Sequence, residues 1–467
     1  MRRISFLTAG MAAIALTLSG CGGSGDEKTT DSSAATEASE TTEAPETTPA
    51  DTDTETTEPE ETEPAGTGAL VEGASGELDI FTWWTAGSEA LGLEQLILVL
   101  EAKYPDIEFV NGGNAAGQGG SGKEVLATRM NAGDPPDTFQ AHAGKEMQDY
   151  IDADQLTDVG YLYDQFGLRD AFPEDLVAML TQDGKIYSIP SNVHRANVLW
   201  ASVPALEAAG LSTTDAYYAS IDDFIAALEQ VKTNAPDITP LSIGTTWCQV
   251  HLLETVLIAE LGADGYNGLF DGTTDWAGAD VTAALEKFAT LMSYTNEDRD
   301  SVEWEPPIQM IEEGTAAFNI MGDWAPASFD AYGSVAGADY LYAPSPGTQG
   351  IFDFLADAYG VTNGAPHPKA AEAWIDVISS KEGQIGFNKV KGSIPARVDI
   401  DLEAEGFSAY QLSAAEDFAS NAIVGSIQHG CAVTIKQGNA INEAVSKFNT
   451  GATDLAGFQA ELVTAMS

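Results

Sequence analysis

An α/β protein with an open, mostly parallel sheet is the fold class this sequence predicts, on three observations. Strand-like and helix-like segments alternate between residues 77 and 141. Aromatic and polar residues gather on the loops that follow strands, where open α/β sheets hold ligands. The chain of 467 residues, 44% of them hydrophobic, is long enough for two or three domains' worth of core.

The folded body is expected to open with a strand at 77–81, carried by Leu78, Ile80 and Phe81. Leu91, Leu93, Leu96, Ile97 and Leu100 then repeat at helical spacing up to Tyr104-Pro105. The loop between them holds Trp83, Trp84 and Glu89. An indole offers a flat, weakly polar face and a carboxylate a strong acceptor, which together suit a polyhydroxylated ring. The alternative is that both tryptophans fill a core, although neighbours in an extended segment point to opposite sides.

A second strand is read at 107–110, a helix from about Lys123 to Gly133 and a third strand at 137–141, which completes β-α-β-α-β. The third strand ends in Gln140 and His142, on one face of it. The glycine-rich loop before Lys123 mimics a phosphate-binding loop. Glu124, however, stands where a Mg²⁺-liganding Ser or Thr is needed and would repel phosphate.

Further along, 184–190 reads as a hairpin arm and 192–200 as a long strand crossing between lobes. Helices are expected near 203–209, 221–232, 249–262, 279–294, 305–313, 367–380, 382–389, 410–419, 436–448 and 454–466. Ser220 with Asp223 opens one of them in the manner of a capping box. A buried-type strand at 316–321 runs into Gly322-Asp323-Trp324, and strands follow at 340–343 and 357–361.

Ahead of the body, Arg2 and Arg3 precede an apolar run from Phe6 to Leu18, of secretory-signal length and too short to span a bilayer. It ends Leu18-Ser19-Gly20-Cys21, which resembles the bacterial lipobox, so 1–20 is read as a lipoprotein signal peptide and Cys21 as the lipidated residue. The paired arginines leave the export route open between general secretion and the twin-arginine path. Residues 21–76, rich in Thr, Glu and Pro, cannot bury a core and read as a disordered tether with a reach of about 40 Å.

The net charge is −52, which excludes nucleic acid as a partner, because a polyanion would be repelled. Residues 1–76 carry 15 acidic and 3 basic side chains, so the body still holds 57 and 17, a charge of −40. Salt screens such self-repulsion. The melting temperature of the chain is therefore expected to rise between low and molar salt, and a flat or falling melt would remove the idea of adaptation to high salt.

No nucleophile elbow and no HExxH pair is present, and His142, His194, His251, His367 and His429 show no metal-ligand spacing. Cys248 and Cys431 stand too far apart in sequence to be paired or kept apart on that basis. Acidic residues are so common that no carboxylate pair singles itself out as a glycosidase's. The reading is that the chain is not an enzyme and uses no cofactor or metal. Among the eight tryptophans, Trp374 lies on the apolar face of a helix and reads as core. Trp83, Trp84, Trp304 and Trp324 sit at loop edges beside Gly, Asp or Glu, as a sugar cleft requires.

Several stretches, taken in order, resemble the extracellular solute-binding proteins, family 1, of bacterial ABC sugar importers, and within them the glucose/galactose-binding branch. They are 81–90, 126–144 (Leu126 through Met130-Asn131-Ala132-Gly133-Asp134-Pro135-Pro136-Asp137 to Gly144), Asn192-Val193-His194-Arg195, 318–324, 391–397 and 426–430. The resemblance implies a two-lobe, type II periplasmic-binding-protein fold. It places 77–191 and 339–395 in the N-terminal lobe and 192–338 and 396–467 in the C-terminal lobe. It also implies a monosaccharide, glucose or an epimer such as galactose or mannose, held by Trp83, Trp84, Glu89, Gln140, His142, Trp304, Trp324, Asp357, Lys391 and His429. The implied chain is a monomer, lipid-anchored on the extracellular face of the cell membrane or held in the periplasm, that delivers sugar to permease subunits. A disaccharide or oligosaccharide receptor of the same family, a secreted glycosidase and a surface adhesin remain as alternatives. Ala358 and Cys431 depart from the family pattern, at positions that bear on which sugar fits.

Overall fold

The computed structural model describes residues 68–85, 87–115 and 120–467. The signal peptide, Cys21 and most of the tether lie outside the described residues. The tether was expected to reach residue 76, but the backbone N–H groups of Leu70 and Val71 already donate to the Tyr104 hydroxyl at 3.1 Å, and Val71 is buried. An apolar side chain with a packing partner ends the solvated segment early.

The first sheet has the order Ile107–Asn111, Gly76–Phe81, Thr138–His142, Asp357–Tyr359, Ile189–Pro190. Its first three strands are parallel, as the β-α-β-α-β reading requires, and the remaining two pair antiparallel. Thr138–His142 is buried at every position, the pattern of a strand covered on both faces. Helix Gly87–Lys103 packs along helix Lys381–Lys391 on this sheet.

The second sheet has the order Tyr340–Pro344, Val198–Ser202, Ala316–Ile320, Thr239–Ser242. Tyr340–Pro344 was expected in the N-terminal lobe. It pairs antiparallel with Val198–Ser202 over five residues and belongs to the second sheet. The sequence pattern marks a strand there without naming its neighbour.

The two-lobe architecture follows from a third, small sheet: Ala422–Gly425, Ile351–Leu355, His194–Arg195. Ile351–Leu355 runs on into Asp357–Tyr359 of the first sheet, and His194–Arg195 runs on into Val198–Ser202 of the second. This is the crossing between lobes. The long strand read at 192–200 is broken here by Ala196 and Asn197. Asn197 spends its amide on Ile351 O at 2.9 Å and Thr348 Oγ1 at 2.8 Å, and accepts the Asp353 N–H at 3.0 Å. A side chain that replaces ladder bonds in this way turns the chain from one sheet to the next.

Ser220 caps helix Ile221–Asn234 by accepting the Asp223 N–H at 3.1 Å. The helix read at 249–262 extends over Thr246–Asp271 and is kinked at Gly262, whose φ of 67° is open to glycine at no cost. Trp200 and Trp374 are fully buried in separate parts of the core. Among the described residues no helix is long and apolar enough to cross a membrane.

Candidate functional site

The strand Gly76–Phe81 delivers the chain into a tight turn, in which the Thr85 N–H donates to Trp83 O at 2.8 Å and the Trp84 N–H to Thr82 Oγ1 at 3.3 Å. The turn removes the alternation that would send the two indoles apart. Trp84 packs on Phe387 (centroids 4.6 Å) and Tyr359 (5.7 Å), and Trp83 lies 5.3 Å from the His142 ring. Both are buried, and both line one cavity of about 920 Å³. Core and site are therefore not alternatives for this pair.

Asp357 is the polar centre. Its strand pairs antiparallel with the third strand of the first sheet, in a register that sets Asp357 opposite His142. Asn192 Nδ2 donates to Asp357 Oδ2 at 2.8 Å and Gln140 Nε2 to Oδ1 at 2.7 Å. The Nε2 atoms of His142 and His194 stand 3.6 and 3.8 Å away. Burial opposes ionisation of this carboxyl, but His142, His194 and Lys391 overcome it and hold it below the usual carboxylate range. Glu89 and Lys391 form a buried ion pair at 2.9 Å, with the ammonium 5.6 Å from the Trp324 ring.

From the other side come Trp304, Trp324 and His429, all on the cavity wall. Trp324 follows the strand Ala316–Ile320 and sits edge-on to His194 (5.4 Å) and His429 (5.3 Å). A Cβ at Gly322 would lie 2.1 Å from this indole, so that turn requires glycine. Asp323 accepts the Arg195 N–H at 3.0 Å and pairs with His194 Nδ1, which clamps the Trp324 turn to the crossing segment.

Nine of the ten residues expected at the site thus share this cavity. Gln140 does not line it. Its amide is engaged inside, donating to Asp357 and accepting from Thr82 Oγ1 at 2.5 Å, so it positions the carboxylate from behind the cavity wall.

The sequence reading missed Lys123, Glu146, His194 and Trp247, which also line the cavity. Lys123 belongs to the stretch that mimicked a phosphate loop. Its ammonium lies 2.6 Å from Glu146 Oε2 and 5.5 Å from the Trp83 ring. Burial pushes the Glu146 carboxyl up, but Lys123 and His142 outweigh it and bring it down to about 2. Glu146 Oε1 and His194 Nε2 are buried without a hydrogen-bond partner in the protein, so each can serve a ligand hydroxyl. Trp247, beside Trp324 at 6.4 Å, carried no signal beyond its residue type. Cys248 and Cys431 are free thiols.

The cavity is closed by backbone contacts. The Glu146 N–H donates to Gly430 O at 2.9 Å and the Lys145 N–H to Cys431 O at 3.2 Å. Gly430 has φ 68°, and a Cβ there would meet the Glu146 carboxylate at 2.5 Å. Gly430→Ala, whose Cβ would press on Glu146 at a φ that favours glycine, is expected to weaken ligand binding about tenfold through about 1–3 kcal/mol of strain. Unchanged affinity by calorimetry would remove this contact from the closure.

The family model of bacterial extracellular solute-binding proteins matches residues 59–385. The chain is similar to an uncharacterized ABC transporter extracellular-binding protein of Pyrococcus horikoshii, 33% identical over 394 residues, covering 84% of this chain and 87% of that one. It is also similar to the xylose/arabinose-binding protein XacG of Haloferax volcanii, 28% identical over 389 residues, covering 81% and 83%. Among solved structures, a chitin oligosaccharide binding protein superposes with a TM-score of 0.73 at 22% identity, covering 84% of this chain and 98% of that one.

Proposed function

We infer, for a chain that belongs to the bacterial extracellular solute-binding protein family, the role of sugar-binding component of an ABC transporter. On that premise we propose that it captures a single pyranose, glucose or a close epimer such as galactose or mannose, as in the glucose/galactose-binding branch. One observation carries the proposal: Trp83, Trp84, Trp304 and Trp324 converge with Asp357 and Lys391 on one cavity.

The indoles supply faces for the C–H sides of the ring. Asp357 accepts from adjacent hydroxyls, and Lys391 donates to a hydroxyl or the ring oxygen. Discrimination follows hydroxyl pairing, because a buried carboxylate left unpaired costs more than a lost methylene. The sugar touches both lobes only when they are closed, so binding shifts the population toward the closed form that the permease recognises. Anchorage through Cys21 and a monomeric chain belong to the same proposal.

A second reading has its own support. At about 920 Å³ the cavity is at the upper end of small-molecule pockets, which span about 300–1,000 Å³, and larger than one pyranose fills. Its lining also includes Tyr150, Asn131, Asn439 and Asn442, side chains suited to further sugar units. Calorimetry against hexoses, pentoses and disaccharides decides. Tightest binding of glucose or an epimer supports the first reading, and tighter binding of maltose-type sugars replaces it with the second.

A further inference from the structure

Behind His429 lies a second cluster, two of whose members, His251 and Glu254, serve no proposed sugar contact. His251 and Glu254, three residues apart on the helix Thr246–Asp271, face the same way and are fully buried. His251 Nε2 donates to Ala196 O at 2.9 Å, which fixes Nδ1 as the bare ring nitrogen. Nδ1 is buried with no hydrogen-bond partner and stands 3.7 Å from Glu254 Oε1. The His429 ring meets the His251 ring at 5.7 Å and 89°. One ring nitrogen of each histidine and a Glu254 oxygen all lie within 4.8 Å of one another.

This cluster is rich in acceptors and poor in donors. Glu254 takes the Gln428 N–H at 2.9 Å, and both its oxygens lie 3.0 Å from Ser426 Oγ. The same hydroxyl is 2.9 Å from His429 Nδ1, and its single proton cannot serve every one of these atoms. Asp353 is buried beside Glu254, and apart from that carboxyl no protein group serves either of its oxygens. With Nε2 donating to Ala196 O, the unpartnered His251 Nδ1 offers its lone pair to the space beside Glu254. Two imidazoles and a glutamate side chain, with a backbone carbonyl orienting one ring, are the donor set of a transition-metal site. Calcium and magnesium prefer oxygen alone.

We propose that His251, Glu254 and His429 bind a divalent transition-metal ion of the zinc class behind the sugar cavity. Contraction of the cluster brings each donor to the about 2.0–2.2 Å of such bonds. His429 then belongs to both sites, and by linkage the metal and the sugar change each other's affinity by the same factor.

The test uses the full chain, stripped with a chelator and titrated with Co²⁺ and Zn²⁺, with Ca²⁺ as the control for surface carboxylates. One saturable equivalent of Co²⁺ with a visible absorption band, and a rise in melting temperature with Zn²⁺ but not Ca²⁺, are expected. Glu254→Gln and His251→Gln are each expected to weaken zinc binding by at least about 10- to 100-fold. Should those buried variants fail to fold, His429→Gln on the cavity wall is expected to do the same. Absence of one-equivalent binding, an equal response to Ca²⁺, or unaltered affinity in folded variants overturns the inference and leaves a proton shared by Glu254 and Asp353 as the occupant. Hexose calorimetry on the stripped chain is read separately: a chain that takes sugar but no metal loses only this inference, and one that takes metal but no sugar loses only the sugar reading.

Discussion

Trp324→Ala is expected to weaken hexose binding by about 100- to 1,000-fold, the scale of a buried aromatic hot spot at about 3–4 kcal/mol. The indole is buried, lines the cavity and meets the rings of His194, His429 and Trp247, so its removal takes away a stacking face and loosens three neighbours at once. Its ring also lies 5.6 Å from the Lys391 ammonium, a contact that the truncation removes. A large-to-small change in a packed site also costs stability, about 3–5 kcal/mol for a fully buried Trp. Trp324→Phe separates the two effects: it retains an aromatic face and should recover part of the affinity. Calorimetry on folded protein is the measurement, and near-native affinity in Trp324→Ala would remove this residue from the site.

Asp357→Asn is expected to cost at least about 100-fold in sugar affinity, although it changes one atom. The carboxylate accepts from Asn192 and Gln140 while facing two histidine Nε2 atoms, all buried. An amide turns one of its two acceptors into a donor, which sets N–H against N–H and leaves buried partners unpaired. The pH dependence carries the same signature. A carboxyl whose folded pKa is lowered stays ionised above that value and is lost only as pH falls through it. Wild-type binding that depends on Asp357 should therefore persist as pH falls through the ordinary carboxylate range, about 4, and fail in stronger acid. Near-native affinity in Asp357→Asn or in Asp357→Ala would refute its role.

Much of the local structure was legible. The three parallel strands, the helix after the tryptophan loop and the Ser220 cap follow from period and residue type over a few positions. The helices Lys145–Asp152, Gly160–Gln165 and Glu174–Met179, of six to eight residues, were missed because so short an apolar pattern does not rise above its surroundings. The strands Ile351–Leu355 and Ala422–Gly425 were missed as well, and their pairing makes the crossing between lobes.

What the sequence determined by itself is the set of parts: a strongly acidic α/β chain with indoles and carboxylates on the loops after its strands. Which parts meet was decided by the tertiary structure. Glu89 and Lys391 are 302 residues apart, and Gln140 and Asp357 are 217 apart. Sheet register brings Gln140 to Asp357, packing of helix Gly87–Lys103 on helix Lys381–Lys391 brings Glu89 to Lys391, and the tertiary arrangement engages Gln140 with Asp357 while His142 lines the cavity wall. It also admits Trp247 to the cavity and keeps Trp200 and Trp374 in the core. Secondary structure is set by neighbours two to four positions away, whereas a binding site is set by pairings that no local pattern encodes.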